Sequence, residues 1–219
     1  MSSEYALQDQ FLDQFFSGPL ASAFYLTGGT ALARFYFHHR ESLDLDLFTN
    51  EQSQDFSDVN RTVLGILASM DLRISSQVTT GAFLQYIVAD TTGVPLKIDV
   101  VKDVPVHFGT LRIENLVRLD SLDNIGSNKV LAVFGRTDAK DFIDLYWLLH
   151  HASLNFDHLF HSAKQKDLGM SEFYLAYALE NVSRIKLFPR MLVPLPWDEI
   201  KTYFQELART LLLRIMPDQ

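Results

Sequence analysis

The segment Leu43-Asp44-Leu45-Asp46-Leu47-Phe48 alternates apolar and acidic side chains without a break. Successive side chains of an extended strand point to opposite faces, so a period of two buries the leucines and sets both carboxylates on one wet face. A chain carrying such a strand needs a sheet with one face covered and the other open. The surrounding segments supply the parts. Upstream, the apolar run 23–26 leads into Thr27-Gly28-Gly29-Thr30 and a helix-like stretch at 31–38, which reads as strand, glycine turn, helix. Downstream, 59–70 has helical spacing, 72–78 and 83–89 read as the two arms of a hairpin, and 95–101 reads as a further strand.

An opening amphipathic helix is expected from Tyr5, Leu7, Phe11, Leu12, Phe15 and Phe16, ended by Gly18-Pro19. Beyond about residue 115 strand signals fade, and helical periods occupy 122–134, 140–150, 156–166, 172–181 and 197–215. The expected class is therefore α+β, a mixed sheet with flanking helices in 1–115 followed by a helical C-terminal part, 116–219. With 219 residues, 47% of them apolar and 12% aromatic, the chain can build that core unaided.

Composition removes several function classes. The absence of cysteine excludes disulfides, thiolate metal sites and a thiol nucleophile. A net charge of −8 argues against a protein that coats duplex nucleic acid, which needs many phosphate-neutralising cations. Glu4, Asp9 and Asp13 interrupt the first helix in a way unlike a secretory signal, and no run approaches a membrane span, so a soluble cytoplasmic protein without membrane partners is expected.

Two aspartates at i and i+2 on a strand place carboxylates close enough to share oxygen-ligated metal, although a bare Asp-x-Asp is more often only a surface strand. Gly28-Gly29-Thr30 opens a helix, where backbone N–H groups and close approach favour phosphate; a lone glycine pair is otherwise a tight turn. In Lys97-Ile98-Asp99-Val100, Ile98 and Val100 face the core, leaving Asp99 on the polar side. A carboxylate there needs either a metal or a salt bridge to Lys97, Lys102 or Arg34.

The ordered set Gly28-Gly29-Thr30, then Arg40-x-Ser42-x-Asp44-x-Asp46, then Asp99 resembles the DNA polymerase beta-type nucleotidyltransferase superfamily. Within it, Leu26 to Ala33, Ser42 to Phe48, and Lys129 with Lys140-Asp141-Phe142-Ile143-Asp144-Leu145 resemble the AbiEii/AbiGii (MenT-like) toxin family over about residues 22–150. The resemblance implies a nucleotidyltransferase core and transfer of a nucleoside monophosphate from an NTP. It also implies an RNA acceptor (for some members the tRNA 3′ end) or a protein, and a cognate antitoxin. Asp44, Asp46 and Asp99 would hold two Mg²⁺ ions, with Mn²⁺ as the alternative. Gly28, Gly29, Thr30, Arg40, Ser42 and Lys129 would bind the nucleotide, Lys129 also offsetting charge in the transition state. One of Asp141 and Asp144 would orient Lys129 or the nucleotide, without a choice between them.

Read as residues alone, Lys129 and Arg136, seven apart on one helix face, are equally a solvated surface, and Lys140 and Asp144 an exposed i,i+4 pair. His150, His151, His158 and His161 read as helix-surface scatter rather than a zinc site. Two other function classes fit an Asp-x-Asp strand: a glycosyltransferase using a nucleotide-sugar, and an inactive relative that only binds a nucleotide or a partner.

Overall fold

A computed structural model describes residues 3–215. The chain divides into two compact units, Met1–Phe35 with Ser42–Ser121, and Tyr36–Glu41 with Leu122–Gln219.

The first unit holds the sheet. Its strands are β1 (Tyr25–Thr27), β2 (Asp44–Thr49), β3 (Arg73–Thr79), β4 (Phe83–Ala89), β5 (Pro95–Lys102), β6 (Arg112–Glu114) and β7 (Val117–Leu119), in the spatial order β3-β4-β5-β2-β1-β7-β6. The sheet is mixed: β2 runs parallel to β5 and β1 to β7, while the other neighbours are antiparallel. Leu45, Leu47, Ile98, Val100, Leu84, Tyr86 and Val88 are all buried and share one face. That face packs on α1 (Ser3–Phe16) and α3 (Phe56–Ser69), whose Phe11, Phe15, Val59, Val63 and Leu67 are buried in turn. Asp55 caps α3 by accepting from the Ser57 N–H at 2.8 Å.

Between β1 and β2 the chain makes a short helix, α2 (Gly28–Ala31), that loosens into π-helical turns over Leu32–Tyr36. The helix thus begins three residues before the expected 31–38 and stops short of its end. His38 adopts the left-handed region at φ 52°, which no α-helix continues through. The small strands β6 and β7 had no sequence signal, since three residues are too few for an alternation to register.

The second unit is helical: α4 (Leu122–Gly135), α5 (Ala139–His151), α6 (Phe156–Lys166), α7 (Glu172–Glu180), a 3₁₀ turn (Asn181–Arg184) and α8 (Trp197–Ile215). These pack around Val130, Val133, Phe142, Leu145, Leu159, Leu175, Leu179, Phe204 and Leu211, with the Phe142 and Phe204 rings edge-on at 5.2 Å. Residues 36–41 belong to this unit as a strap: Arg40 bridges Met191, the Glu41 N–H donates to the Arg190 carbonyl at 2.8 Å, and the Leu192 N–H to that of His39 at 2.9 Å. Among the described residues no helix is long and apolar enough to cross a membrane.

The two faces of β2 make opposite demands. Leu45→Ala or Leu47→Ala leaves a cavity in the helix-covered face and is expected to lower stability by about 2–5 kcal/mol. Asp44→Asn, on the open face, is expected to stay within about 0.5 kcal/mol of wild type. Urea unfolding of the three variants measures the contrast.

Candidate active site

The open face of the sheet carries one continuous polar row. Gln85 on β4 is the register partner of Asp99 on β5, Asp99 of Asp46 on β2, and Asp46 of Thr27 on β1. Register partners in neighbouring strands point to the same side, with backbones about 4.8 Å apart. Asp44, two residues before Asp46, lies on that side too and is paired with Lys97. The expectation that Asp44, Asp46 and Asp99 share a face therefore holds, and the buried leucine and isoleucine partners of the opposite face enforce it.

Lys97 stands among these acids. Its Nζ lies 2.8 Å from Asp99 Oδ2 and 3.7 Å from Asp44 Oδ2, while the Gln85 amide donates to Asp99 Oδ1 at 2.9 Å. Burial works against the Lys97 ammonium, but the hydrogen bond to Asp99 and the charges of Asp44, Asp99 and Asp46 outweigh it and raise its pKa. Of the three candidate cations for Asp99, Lys97 is its partner: Arg34 pairs with Asp9, and Lys102 donates to the Gln54 carbonyl at 2.7 Å. Among the described residues no three Asp, Glu or His side chains are gathered tightly enough to ligate one ion.

The diglycine turn presses against the same row. Gly28 has φ +66°, and a Cβ there would stand 2.5 Å from Asp46 Oδ2. Only glycine satisfies both the backbone and the contact. Thr30 is fully buried; its hydroxyl hydrogen-bonds the Asp44 carbonyl and lies 2.9 Å from the Ser42 hydroxyl, tying the turn to the start of β2.

Arg40, Lys129, Asp141 and Asp144 lie in the helical unit, in one buried ionic cluster. Asp144, wholly buried, accepts both Arg40 Nε and Nη2 at 2.7 Å, Lys129 Nζ at 2.7 Å, and lies 2.9 Å from His39 Nε2. Asp141, also buried, binds Lys129 Nζ at 2.8 Å and Arg136 Nε at 2.6 Å. Burial alone would raise both carboxyls, but Lys129 and Arg40 hold Asp144 well below the usual carboxylate range, and Lys129 and Arg136 lower Asp141. The same two acids raise Lys129 against its own burial. Three cations face two carboxylates, so the cluster carries a formal surplus of one positive charge.

Sequence spacing did not separate Asp141 from Asp144, and both belong to the cluster. Asp144 is not the exposed i,i+4 partner of Lys140, which pairs with Asp138 at 3.6 Å. His39, which the sequence shows only as part of a basic run with His38 and Arg40, is buried: its ring stacks on Trp147 at 5.3 Å, and its Nδ1 has no hydrogen-bond partner. Its position between an exposed His38 and Arg40 gave no hint of burial. Gln85 was missed, having no motif to mark it. His158 pairs with Asp123 at 2.9 Å, and His150 stacks on Tyr146 at 3.9 Å.

The cluster answers to substitution and to pH separately. Asp144→Ala leaves Arg40 and Lys129 buried without their shared counter-ion and is expected to cost about 3–5 kcal/mol in urea unfolding. The His39 pKa is lowered from 6.5 by burial, so as pH falls the unfolded chain takes the proton first. Stability is full above pH 6.5 and declines below it. The unfolding midpoint is expected to drop between pH 7.5 and 5.5 in wild type and to stay nearly level in His39→Gln over that window. The further loss below about pH 4, where Asp141 and Asp144 are protonated in the unfolded chain, remains in both.

Comparison with known proteins identifies the fold and the family. No functionally curated protein matches the sequence. Among solved structures, a Helicobacter pylori protein assigned as a nucleotidyltransferase is 20% identical with a TM-score of 0.64, covering 100% of both chains. JHP933, also from Helicobacter pylori, is 21% identical with a TM-score of 0.63, over 97% of this chain and 91% of its own. MenT4, a nucleotidyltransferase toxin from Mycobacterium tuberculosis H37Rv, is 14% identical with a TM-score of 0.56, over 94% and 82%. At these identities the likeness establishes the nucleotidyltransferase fold. The model of the nucleotidyl transferase AbiEii toxin family, type IV toxin–antitoxin system, matches residues 10–207, so the chain belongs to that family and is a nucleotidyltransferase.

Proposed function

We propose that this enzyme moves a nucleoside monophosphate from an NTP to a hydroxyl of an RNA acceptor, the tRNA 3′ end foremost, or of a protein, acting as a toxin opposed by a cognate antitoxin. The observation that carries the reading is the register of Asp46 with Asp99, beside Asp44 and against the diglycine turn.

The donor chemistry suits a hard divalent cation: three carboxylates on one face, with neither sulfur nor imidazole among them, which would draw together around the ion as Lys97 gives way. Gly28 leaves open the approach to Asp46 that a side chain would fill. Asp44, Asp46 and Asp99 would hold Mg²⁺, or Mn²⁺, which when bound supplies positive charge to the reacting phosphate and the leaving pyrophosphate. In this reading Gly28 and Gly29 let the phosphate chain lie close to the backbone, while Thr30 and Ser42 fix the turn that receives it. Asp99 takes the acceptor's hydroxyl proton as the oxygen–Pα bond forms and the bond from Pα to pyrophosphate breaks. Arg40 and Lys129, held in place by Asp141 and Asp144, form the buried cationic cluster of the helical unit.

A second reading has one observation in its favour. Lys97 already neutralises Asp99 and Asp44, as it would in a relative that binds nucleotide without metal. The nucleotide-sugar alternative has no such support, and the family match speaks against it.

Incubation with each α-labelled NTP, Mg²⁺ and total RNA or protein tests the proposal. Label is expected to pass to a macromolecule, and Asp46→Asn or Asp99→Asn to reduce the transfer by about 10²-fold or more. Absence of transfer, together with nucleotide binding that is tight in EDTA and insensitive to Asp44→Ala, would favour the second reading, while transfer that survives Asp99→Asn would remove Asp99 from the proton step.

A further inference from the structure

Asp120 is a fully buried carboxylate that no step of the transfer uses. It follows β7 directly, and its N–H donates to the Leu26 carbonyl at 2.9 Å, extending the pairing of Leu26 with Leu119. Three groups converge on its side chain. The Thr27 hydroxyl donates to Oδ2 at 2.5 Å, the Ser121 N–H to Oδ1 at 2.8 Å, and His107 Nε2 lies 2.9 Å from Oδ1. The His107 ring is itself set edge-on against Tyr25 at 5.3 Å. A buried carboxylate is costly unless such donors satisfy it, and here they do so beside the diglycine turn.

Thr27 connects this carboxylate to the turn. Its backbone is extended, at φ −130° and ψ −164°, immediately before Gly28, where a threonine ordinarily turns its hydroxyl to the N–H groups that follow. It makes no such bond; the hydroxyl is committed to Asp120. Thr27 is also the register partner of Asp46, and Gly28 lies against the Asp46 carboxylate. Whatever fixes Thr27 therefore fixes the distance between the glycine turn and the acidic row.

We infer that Asp120 is a positioning residue: through the Thr27 hydroxyl it pins the Gly28-Gly29 turn beside Asp46, where the triphosphate of the incoming nucleotide is held. His107 and the Ser121 N–H keep the Asp120 carboxylate aimed at Thr27. The inference rests on the proposed function, because it takes the turn to be the triphosphate contact. It assigns Thr27, Asp120 and His107 an indirect part, acting on the ligand only through the backbone of the turn.

The test uses the full chain and three variants, Thr27→Val, Thr27→Ser and Asp120→Asn. Calorimetric titration with Mg²⁺ and inorganic triphosphate, non-hydrolysable NTPs and the matching nucleosides is read beside thermal melting. Thr27→Val preserves volume and removes one hydroxyl, so the Kd for triphosphate and for NTP is expected to rise about tenfold. Nucleoside binding is expected to stay unchanged, and melting to stay within about 5 °C of wild type. Thr27→Ser restores the hydroxyl and is expected to return the Kd to within about threefold, while Asp120→Asn weakens triphosphate binding as Thr27→Val does. Unchanged triphosphate affinity in Thr27→Val, or failure of Thr27→Ser to rescue it, overturns the inference and leaves the proposed function standing. Equal losses for nucleoside and triphosphate overturn it too, as the mark of a general structural defect. A wild-type chain that binds neither triphosphate nor any NTP overturns the inference and the proposed function together. Should Asp120→Asn fail to fold, the two Thr27 variants still decide the question.

Discussion

Burial of one side of the β2/β5 pair sets everything on the other. Leu45, Leu47, Ile98 and Val100 are each fully enclosed by the helix-covered face, and a strand slipped by one residue would exchange all its leucines for aspartates. Such a slip is excluded, because it would bury the carboxylates of β2 without partners and expose its apolar side chains together. The register that remains sets Asp46 opposite Asp99 and Asp44 opposite Lys97. The hydrophobic effect, which has no direction of its own, thus positions charges to within the spacing of neighbouring strands.

The helical unit solves a different problem with the same residue types. On the open face the acids of β2 and β5 are partly solvated, and Lys97 pairs with Asp99 and Asp44. In the cluster around Asp144 the groups are buried, and the cost of removing them from water is offset only because each acid oxygen meets a donor. Arg40 supplies two of those donors in one plane, an arrangement a lysine could not reproduce. His39 completes the set as a neutral ring, its charged form disfavoured by burial. The two sets also differ in what a substitution does. Removing an acid from the row relieves repulsion, while removing one from the cluster strands a buried cation.

What could be read from the residues follows from the range of the forces involved. The alternation in 43–48, the glycines at 28 and 29 and the helical periods after 122 are local patterns, and each appears in the structure near its expected place. The partner of Asp99 was legible only as a choice of three, because selecting Lys97 depends on a side chain two residues away curling back along its own strand. Gln85, His107 and Asp120 act across 14, 13 and 93 residues of sequence separation, toward Asp99, Asp120 and Thr27 respectively, and nothing local distinguishes them from surface polar residues. Short strands fail for a related reason: β7 exists because Leu26 offers an edge to pair with, a condition written elsewhere in the chain.

The polar row also accounts for why the fold cannot replace Gly28. Gly28 and Gly29 look alike in sequence, yet of the two it is Gly28 that has the positive φ, and a β-carbon there would stand 2.5 Å from Asp46 Oδ2. Any side chain at 28 would push the turn away from the acids or rotate the Asp46 carboxylate out of the row, and a β-carbon would be strained there even in open space. At Gly93, with φ +89°, a β-carbon would meet nothing within 4 Å, so that glycine answers only to its own turn. The difference between the two positions is the carboxylate, which makes Gly28 part of the site and Gly93 part of the scaffold.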